Sequence, residues 1–387
     1  MSDLRSAAPE VMSAARLLAG SRLHLVLMVL ATFGASLLIT VLLLAAVAAR
    51  PAVPTAHDAP VLAYYYIWFD RGSWDRAKTD MPILGAYSSS SRQVMREHIE
   101  WAKSAGIDGF IVSWKSTEKL DARLRQLVEV ARDADFKLAI IYQGLDFDRN
   151  PVPVAQVGRD LASFAAEFAS EPVFQIRDRP LVVWSGTWEF SRSEIESVTS
   201  VVRPMLRVLA SEKDVDGINR LAGVVDGDAY YWSSVDPETF PNYVDKLTAM
   251  SAVVHSQGGL WIVPVATGFD ARLIGGTRVI TRDDGEHLRR QMGLIAQTRP
   301  DAIGLISWNE FSENSHIEPS VGHGYRYLDV VREARPLAGL APMDEDSSDD
   351  PASDDPALAQ RLLAVSLLGI VTLLGVVMTV RRERRAR

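Results

Sequence analysis

Cysteine is absent from the 387 residues of this chain, and histidine occurs only seven times. The absence of cysteine excludes disulfide bonds and metal sites built on thiolates. The histidines are scattered, and the one local grouping, His316 and His323 around Glu318, does not match the ligand spacing of a known metal site. We therefore predict that the protein holds no metal ion and no other cofactor.

Positive residues are also fewer than negative ones: the chain has 41 Lys and Arg residues and 49 Asp and Glu residues, which gives a net charge of −8. A negative chain without a patch of mixed basic and aromatic residues is not typical of nucleic-acid binding. We therefore expect no nucleic-acid partner. Hydrophobic residues make up 48% of the chain and are concentrated at its two ends, which predicts a special role for the ends.

The N-terminal end contains a long run without charged residues. Residues 1–22 are polar and include Arg16 and Arg22, whereas residues 23–49 contain no Asp, Glu, Lys or Arg. Such a run is long enough to cross a bilayer as a helix. A cleaved signal peptide is the alternative, because Ala46-Val47-Ala48 has the form of a cleavage site, but signal peptides have shorter hydrophobic regions. We predict an uncleaved transmembrane helix at 23–49, followed by a spacer at 50–60.

The C-terminal end has a similar organisation. Residues 341–361 are rich in acids and predict a solvated linker, because a calcium loop would need a central glycine that is missing here. Residues 362–380 are again uncharged and predict a second transmembrane helix, and the tail at 381–387 is rich in arginine. Positive residues favour the cytoplasmic side. We therefore expect a two-pass protein of the cell membrane with both termini in the cytoplasm and residues 61–340 outside.

Between these ends, strand-like and helix-like segments alternate, which is typical of a parallel sheet built from βα units. The length and order predict an α/β protein with a (β/α)8 TIM-type barrel at 61–340. Only seven strands are recognisable, and the eighth is expected at 271–282 or near 174–176. The predicted strands are 61–68, 109–114, 137–142, 180–184, 223–229, 260–265 and 303–307. The predicted helices are 91–105, 121–134, 154–169, 193–209, 236–257, 284–298 and 327–334.

The most informative stretch is residues 303–320, IGLISWNEFSENSHIEPS. A short apolar run predicts a buried strand, and Glu310 and Glu313 follow directly after it. In barrels of this class, catalytic side chains lie at the carboxyl ends of the strands. Glycosidases typically use two neighbouring carboxyl groups, of which one is protonated and the other is ionised. The alternative is a strand-to-helix turn whose acids are merely solvated.

Aromatic residues recur at the predicted strand ends. Their flat apolar faces suit the C–H face of a sugar ring, and as a set they predict a cleft lined with stacking platforms. The alternative for each ring is that it packs a loop against the barrel rim. The candidates for substrate binding are Tyr66, Trp68, Trp114, Trp232 and Trp308.

These residues carry a resemblance to glycoside hydrolase family 99, the endo-α-mannosidase group, with the family 71 α-glucanases as looser relatives. The similarity covers roughly residues 61–338 and implies the same barrel fold. The matching segments come in the same order as in the family: YYYIWF at 64–69, GIDGFIVSW at 106–114, PVATGFDAR at 264–272, and the Asn-Glu, second Glu and IEPS elements of 309–320.

The resemblance implies cleavage of α-mannosides with retention of configuration, through participation of the sugar 2-hydroxyl group. It implies that Glu310 is the base that takes the 2-hydroxyl proton and that Glu313 is the acid that protonates the departing oxygen. By the same resemblance, Asn309 orients a sugar hydroxyl or Glu310. Arg272 either binds substrate hydroxyls or pairs with Asp270.

The chain also departs from the family pattern. Phe311 stands where the family usually has Trp, and His316 stands in place of Gln. Both glutamates are present, so catalysis is expected, while specificity for endo-mannosidase substrates is not. We therefore predict a membrane-anchored, extracytoplasmic glycoside hydrolase acting on an α-linked glycan. A catalytically weak glycan-binding module and a transferase that builds a surface polysaccharide are the alternatives.

Overall fold

The computed structural model describes residues 59–240 and 242–340. The predicted membrane helices at 23–49 and 362–380 lie outside these ranges, as do residues 1–22, the first part of the spacer, the acidic linker at 341–361 and the tail at 381–387. Within the described ranges, no helix has the length and apolar character that a membrane crossing requires. The two membrane helices therefore stay predictions.

Ten strands occur in the described part of the chain, and eight of them form one parallel sheet. The other two, β8 and β9, form a short antiparallel hairpin. The strands are β1 (Val61–Tyr66), β2 (Gly109–Trp114), β3 (Lys137–Gln143), β4 (Leu181–Ser185), β5 (Arg207–Leu209), β6 (Gly227–Ala229), β7 (Leu260–Ala266), β8 (Phe269–Asp270), β9 (Val279–Ile280) and β10 (Ala302–Ile306).

An α-helix lies between each strand of the parallel sheet and the next, and one more follows the last strand. The α-helices are α1 (Arg92–Ser104), α2 (Glu118–Asp133), α3 (Val154–Phe168), α4 (Arg192–Val202), α5 (Val215–Arg220), α6 (Tyr243–Ser256), α7 (Glu286–Ile295) and α8 (Arg326–Ala334). Short 3-10 helices cover Arg71–Asp75, Pro172–Phe174, Thr187–Glu189, Arg272–Ile274, Asp283–Gly285, Ala296–Thr298 and Arg335–Ala338.

The parallel sheet has the strand order β5-β4-β3-β2-β1-β10-β7-β6. Its two edges are connected by a parallel bridge between Ala210, just after β5, and Asp228 in β6. The amide of Ala210 donates to the Gly227 carbonyl at 3.0 Å, and the amide of Ala229 donates to the Ala210 carbonyl at 2.8 Å. The sheet therefore closes on itself, and the predicted (β/α)8 barrel is confirmed.

The eighth barrel strand is β5, and both predicted positions for it were wrong. Residues 174–176 belong to a 3-10 helix and its C-cap, and residues 279–280 pair only with β8 outside the barrel. The predicted helix at 193–209 instead ends at Val202, and Arg207–Leu209 pairs in parallel with β4. Pro204 is the physical reason, because its ring and missing N–H prevent the helix from continuing.

Side chains on the barrel strands alternate between two apolar clusters, as the two-residue period of a strand requires. In β1, Leu62 and Tyr64 belong to the cluster that also contains Ile111, Ile141 and Ile306. Val61, Ala63 and Tyr65 belong to the larger cluster that contains the buried faces of the helices. The first cluster fills the barrel and the second holds the helices against it, so the strand ends are fixed on both sides.

Several helix starts agree with the capping residues in the sequence. Ser91 accepts a hydrogen bond from the Val94 amide at the start of α1, and Thr117 accepts one from the Leu120 amide at the start of α2. The helix predicted at 236–257 begins later, at Tyr243. Asp236 explains the difference, because its side chain accepts a bond from the Glu238 amide at 3.0 Å and forms a turn there.

One carboxyl group is buried in the barrel wall itself. Asp228 in β6 is almost fully buried, and its Oδ1 accepts a hydrogen bond from the Glu212 amide at 2.7 Å. Its Oδ2 has no hydrogen-bond partner among the described residues. Burial raises the pKa of Asp228 well above its usual range, because the charged form loses its hydration. The folded protein therefore favours the neutral acid at this position.

This raised pKa predicts a pH-dependent gain from Asp228→Asn. The folded state binds the extra proton above the unfolded pKa of about 4, so wild-type stability falls as pH rises from there toward the folded pKa. We expect Asp228→Asn to increase the free energy of unfolding by about 1–3 kcal/mol at pH 8 and by less at pH 4, as measured by urea titration.

The matched control for this prediction is Asp226→Asn, two residues earlier. Asp226 accepts a bond from the Val208 amide at 2.9 Å and pairs with Arg203 at 3.0 Å, so its charge is compensated. Asp226→Asn should therefore destabilise the protein at pH 8. An equal loss of stability from Asp228→Asn at both pH values would contradict the assignment of a neutral acid.

Candidate active site

A cleft of about 420 Å³ opens at the carboxyl ends of the barrel strands. It is lined by the last residues of β1, β3 and β4 and by residues from the loops that follow β5, β6 and β10. Tyr66, Gln143 and Ser185 are the strand-end residues among them. The position agrees with the rule that barrels of this class carry their chemistry at this face.

The structure brings Glu310 and Glu313 into this cleft together. Both lie in the loop after β10, where the amide of Glu310 donates to Ser307 Oγ at 2.9 Å. The Glu310 side chain is held in turn, since its Oε1 accepts a bond from the Ser312 amide at 3.1 Å. Glu313 is fixed through its carbonyl, which accepts the Asp270 amide at 2.7 Å. The loop therefore presents both carboxyl groups from a backbone that is hydrogen-bonded at several points.

Burial raises the pKa of both carboxyl groups above the ordinary range of a glutamate. Burial raises the pKa of Glu310 to about 7, with a further contribution from the nearby charge of Glu313. Burial also raises the pKa of Glu313, and the positive charge of Arg149 opposes that rise. The two shifts have different charged neighbours, Glu313 acting on Glu310 and Arg149 acting on Glu313, so the two acids need not lose their protons together. One group can therefore donate a proton while the other accepts one.

Two tyrosines stand beside the acids. The hydroxyl groups of Tyr66 and Tyr231 are 2.6 Å apart, and both side chains line the cleft. Burial raises the pKa of both tyrosines, and the charges of Glu310 and Glu313 contribute to the rise. Both phenols are therefore neutral, and because one donates to the other, the second keeps its O–H free to donate to a ligand.

Three of the five predicted aromatic platforms line the cleft. Tyr66 stacks on Trp68, with ring centroids 4.4 Å apart, and Trp68 is 43% exposed. Trp232 is 39% exposed and stacks on Tyr230. Large aromatic rings that stay exposed beside buried acids are available to contact a ligand.

Trp114 and Trp308 do not line the cleft, and their predicted role as platforms is corrected by the structure. Trp114 is 2% exposed, and its indole donates to Asp121 Oδ1 at 2.9 Å. Trp308 is fully buried and packs beside Phe110 in the layer between barrel and helices. Neither ring offers a face to a ligand, so the rim-packing alternative holds for these two.

Asn309 is also buried away from the cleft. Its Oδ1 accepts a bond from the Tyr66 amide at 2.8 Å, and its Nδ2 donates to the Tyr66 carbonyl at 3.0 Å. With its polar atoms engaged in this way, it does not bind substrate. Because Asn309 directly precedes Glu310, these two bonds to the Tyr66 backbone fix the start of the loop and so position the acid.

Arg272 does not line the cleft either. Its guanidinium forms hydrogen bonds to both oxygens of Asp270, at 2.9 and 3.1 Å from Nε, so the predicted alternative of pairing with Asp270 applies. Arg282 is buried and donates to the carbonyls of Asn314 and His316. Both arginines therefore stabilise the loops around the acids rather than the ligand.

Several cleft residues were missed by sequence reasoning. Arg149, Trp188 and Lys213 line the cleft from the loops after β3, β4 and β5. The loop after β5 could not be assigned to the barrel mouth because β5 itself was read as part of a helix. Tyr231 had a signal, since it precedes Trp232 after a predicted strand.

Behind the acid loop lies a buried network of polar side chains. Tyr87 donates from its hydroxyl to Glu318 Oε2 at 2.9 Å and accepts a bond from Asn309 Nδ2 at 3.2 Å. The other carboxylate oxygen of Glu318 lies 3.1 Å from His98 Nε2, and His98 Nδ1 is 3.1 Å from the Tyr65 hydroxyl. The network connects the IEPS element of the sequence, through Tyr87, to the residue that precedes Glu310.

A second cluster contains two histidines and an acid. Ligand atoms of Asp80, His316 and His323 all lie within 4.8 Å of one another, which is the spacing that a metal ion needs. The buried guanidinium of Arg282 lies over the Tyr327 ring next to His323, and the charge of Asp80 acts on it. Burial, together with the positive charge of Arg282, lowers the pKa of both His316 and His323, so a second cation is disfavoured at the cluster and we assign it no metal.

The family model for "Glycosyl hydrolase family 71" matches residues 81–329 of this sequence, which includes both cleft acids. The chain belongs to glycosyl hydrolase family 71. It is therefore a glycoside hydrolase, and the resemblance inferred from the strand-end motifs is confirmed. No curated protein matches the sequence significantly.

Solved structures with the same fold include two of an endo-α-mannosidase of family 99 from Bacteroides thetaiotaomicron. The one in complex with BIS-TRIS-propane has a TM-score of 0.64 at 18% identity, and covers 73% of this chain and 98% of the other. The second has a TM-score of 0.61 at 17% identity, covering 73% and 99%. A glycoside hydrolase-like protein gives 0.58 at 16% identity, covering 72% and 94%. At these identities the likeness concerns the fold of this family 71 member.

The buried network predicts a large effect from Glu318→Gln. The substitution keeps the shape but removes the charge that the Tyr87 hydroxyl and His98 share. Hydrogen bonds to charged groups contribute about 1.5–3 kcal/mol, so we expect a loss of that size in the free energy of unfolding, together with a fall in kcat. Urea titration and steady-state kinetics measure the two effects.

Glu333→Gln is the matched control for Glu318→Gln. Glu333 pairs with Arg289 at 2.7 Å, but its side chain is 60% exposed, so the loss should stay below about 1 kcal/mol and leave kcat unchanged. Similar stability losses from the two variants, with full activity in both, would show that the network does not position the acid loop.

Proposed function

We propose that this family 71 member hydrolyses an α-linked, α-mannoside-like glycan, with Glu310 and Glu313 as its two catalytic carboxyl groups. The observation that carries the proposal is the pair itself: two acids in one cleft, each with a raised pKa and each influenced by the other or by Arg149. Exposed Trp68 and Trp232 in the same cleft support a ligand with flat apolar faces, such as a sugar ring.

In the proposed reaction, configuration is retained through the sugar 2-hydroxyl group. Glu310 takes the proton of that hydroxyl as its oxygen attacks the neighbouring anomeric carbon, and Glu313 gives a proton to the departing oxygen. Water then attacks the anomeric carbon of the resulting 1,2-anhydro sugar and gives its proton to Glu313, while Glu310 returns a proton to the 2-oxygen. The two displacements together retain configuration and restore both acids. Tyr66 and Tyr231, as a pair of neutral phenols beside both acids, can donate a hydrogen bond to a sugar oxygen during this exchange. The two carboxyl groups carry these proton transfers by themselves, and no other protein group has to gain or lose a proton.

The burial and the pKa of Glu310 also support the opposite assignment of the acid and base roles. Glu310 is the more deeply buried of the two acids, and its pKa of about 7 makes it a good proton holder near neutral pH. A general acid needs such a raised pKa. Glu310 as acid and Glu313 as base is therefore the alternative that kinetics must separate.

Replacing each acid by Gln tests the roles with two substrates. General acid or base loss costs about 10²–10⁴-fold in rate. If Glu313 is the acid, Glu313→Gln should lose this factor on a natural glycan but much less on an aryl glycoside whose phenolate leaves without a proton. Glu310→Gln should be slow on both. The reverse pattern would assign the acid to Glu310.

The pH dependence of kcat/KM provides a second measurement of the same assignment, because it reports the free enzyme. If Glu310 is the base, activity on the aryl glycoside should rise through the pKa of about 7 and stay high. If Glu310 is the acid, activity on the natural glycan should fall above that pH. Glu286→Gln, an exposed acid on α7, is the control and should change neither profile. Turnover that survives loss of both acids would reject the pair altogether.

We further propose that the barrel is anchored to the cell membrane by helices at 23–49 and 362–380 and works on its outer side. The proposal rests on the length of the two uncharged runs and on the arginines that flank them. The substrate would then be a glycan of the cell envelope or of the surroundings.

Reporter fusions test this topology. A reporter fused after Arg387 should give a cytoplasmic signal, because the basic tail favours that side. A reporter inserted near Ser347, in the acidic linker, should give an external signal. A fusion in the cytoplasmic N-terminal segment before Arg16 serves as the control. The same side for the first two reporters would mean that the C-terminal run does not cross the membrane.

A further inference from the structure

We propose that the glycan substrate carries an anionic substituent and that Lys213 binds it at the part of the cleft remote from the catalytic acids. The substituent is a carboxylate, a phosphate or a sulfate group on a sugar residue that binds in this part of the cleft. The inference rests on the proposed function and adds the chemical class of the substrate to it.

Lys213 is a cation in the cleft without a protein counter-charge. It is half-buried, lines the cleft and has no hydrogen-bond or ion-pair partner among the described residues. Its Nζ lies 4.2 Å from the centroid of the Trp188 ring, which also lines the cleft. A cation–π contact of this kind holds the ammonium group in place but does not neutralise it.

The acids next to Lys213 in the sequence are already engaged elsewhere. Glu212 is buried and pairs with Arg220 at 3.0 Å. Asp214 caps α5 by accepting the Gly217 amide at 2.9 Å. The ammonium group of Lys213 is therefore left to the cleft, where an anionic ligand would supply the missing charge in a strong hydrogen bond.

The catalytic acids are not the counter-charge either. Lys213 follows β5, whereas Glu310 and Glu313 follow β10, and β6 and β7 separate these strands on the shorter way round the barrel. The cation whose charge acts on Glu313 is Arg149, from the loop after β3. The cleft thus has an acidic part, which performs the chemistry, and a separate cationic part.

Hydroxyl groups accompany the cation. Ser185 at the end of β4, Ser211 after β5 and Ser233 after β6 line the cleft together with Lys213. Each hydroxyl can donate one hydrogen bond to an oxyanion, and an oxyanion can accept several. An ammonium group with hydroxyl donors around it suits a carboxylate, phosphate or sulfate better than a neutral sugar hydroxyl. The reason is that a hydrogen bond is stronger when its acceptor is negatively charged.

The test uses three forms of one polysaccharide with the full-length protein in detergent: an α-mannan, the same mannan carrying phosphate esters, and the same mannan oxidised at C6 to uronate. Binding is measured by calorimetry with the Glu310→Gln variant, so that the glycan is not consumed. We expect at least one anionic form to bind roughly 10-fold more tightly than the neutral mannan, with a preference that falls as salt increases.

Lys213→Met should remove this preference, so that it binds the anionic and neutral mannans with equal affinity, and a cooperative urea unfolding transition shows that the variant is folded. Lys213→Arg should retain the preference, because it keeps the charge. Lys115→Met is the matched control, since the Lys115 ammonium lies 5.2 Å from the Phe147 ring centroid and Lys115 does not line the cleft. It should leave the preference intact.

The outcomes separate the inference from the proposed function. Preference for the ester alone or for the uronate alone supports the subsite and identifies its anion. Equal binding of all three mannans, with turnover of the neutral one by the wild type, overturns the anionic subsite and leaves the proposed function standing. A preference that Lys213→Met does not change also overturns it. Failure to bind or cleave any of the three overturns the mannoside proposal and the subsite with it.

Discussion

Two hydrogen bonds between the Asn309 side-chain amide and the backbone of Tyr66, one accepted and one donated by Asn309, connect the loop after the last barrel strand to the end of the first. They extend the pairing of β1 with β10 beyond the strands themselves, where the Trp308 amide also donates to the Tyr64 carbonyl. We call this contact between the first and last barrel strands the seam. It contributes to the continuous barrel and also sets the position of the acids. Because Glu310 comes directly after Asn309, a shift at this seam would move the carboxyl group that the cleft is built around.

The aromatic residues at the strand ends could be assigned only in part from the sequence. The end of the last barrel strand could be predicted, because its apolar run stops at Ser307, whereas β1 ends at Tyr66, two residues before the predicted end, since its apolar run continues to Phe69. The direction of each side chain at the end could not be predicted, since one step along a strand reverses the face. Trp114 and Trp308 belong to the cluster that packs the helices against the barrel and are buried. Trp68 follows its strand end by two residues, as Trp308 does, yet it stays exposed, so distance from the strand end does not decide the burial.

The short strand β5 is the second feature that could not be predicted from the sequence. The long apolar strands and the two acids could be predicted from periodicity and motif alone, and the barrel class follows from them. β5 has three residues, too few to show a period, and it comes directly after a helix with an apolar face. It exists because its neighbours β4 and β6 leave a gap in the sheet that only a further strand can close. That information is tertiary, so the loop it introduces, with Lys213, became visible only in the structure.

The arrangement of charges in the cleft follows from what the acids need. A cation within about 4–6 Å lowers the pKa of a carboxyl group, and Arg149 acts on Glu313 in this direction, against the effect of burial. Burial raises the pKa of Glu310 to about 7 even though Lys78 acts against it. A cation placed after β5 is separated from the acid loop by β6 and β7, so the cleft can hold a positive charge without ionising its proton donor. The barrel makes this separation possible, since its eight loops come from strands spread around a full circle. Because loop residues can vary without changing the barrel that carries them, a change in the loop after β5 can alter which glycan binds while the acids of this chain stay in place.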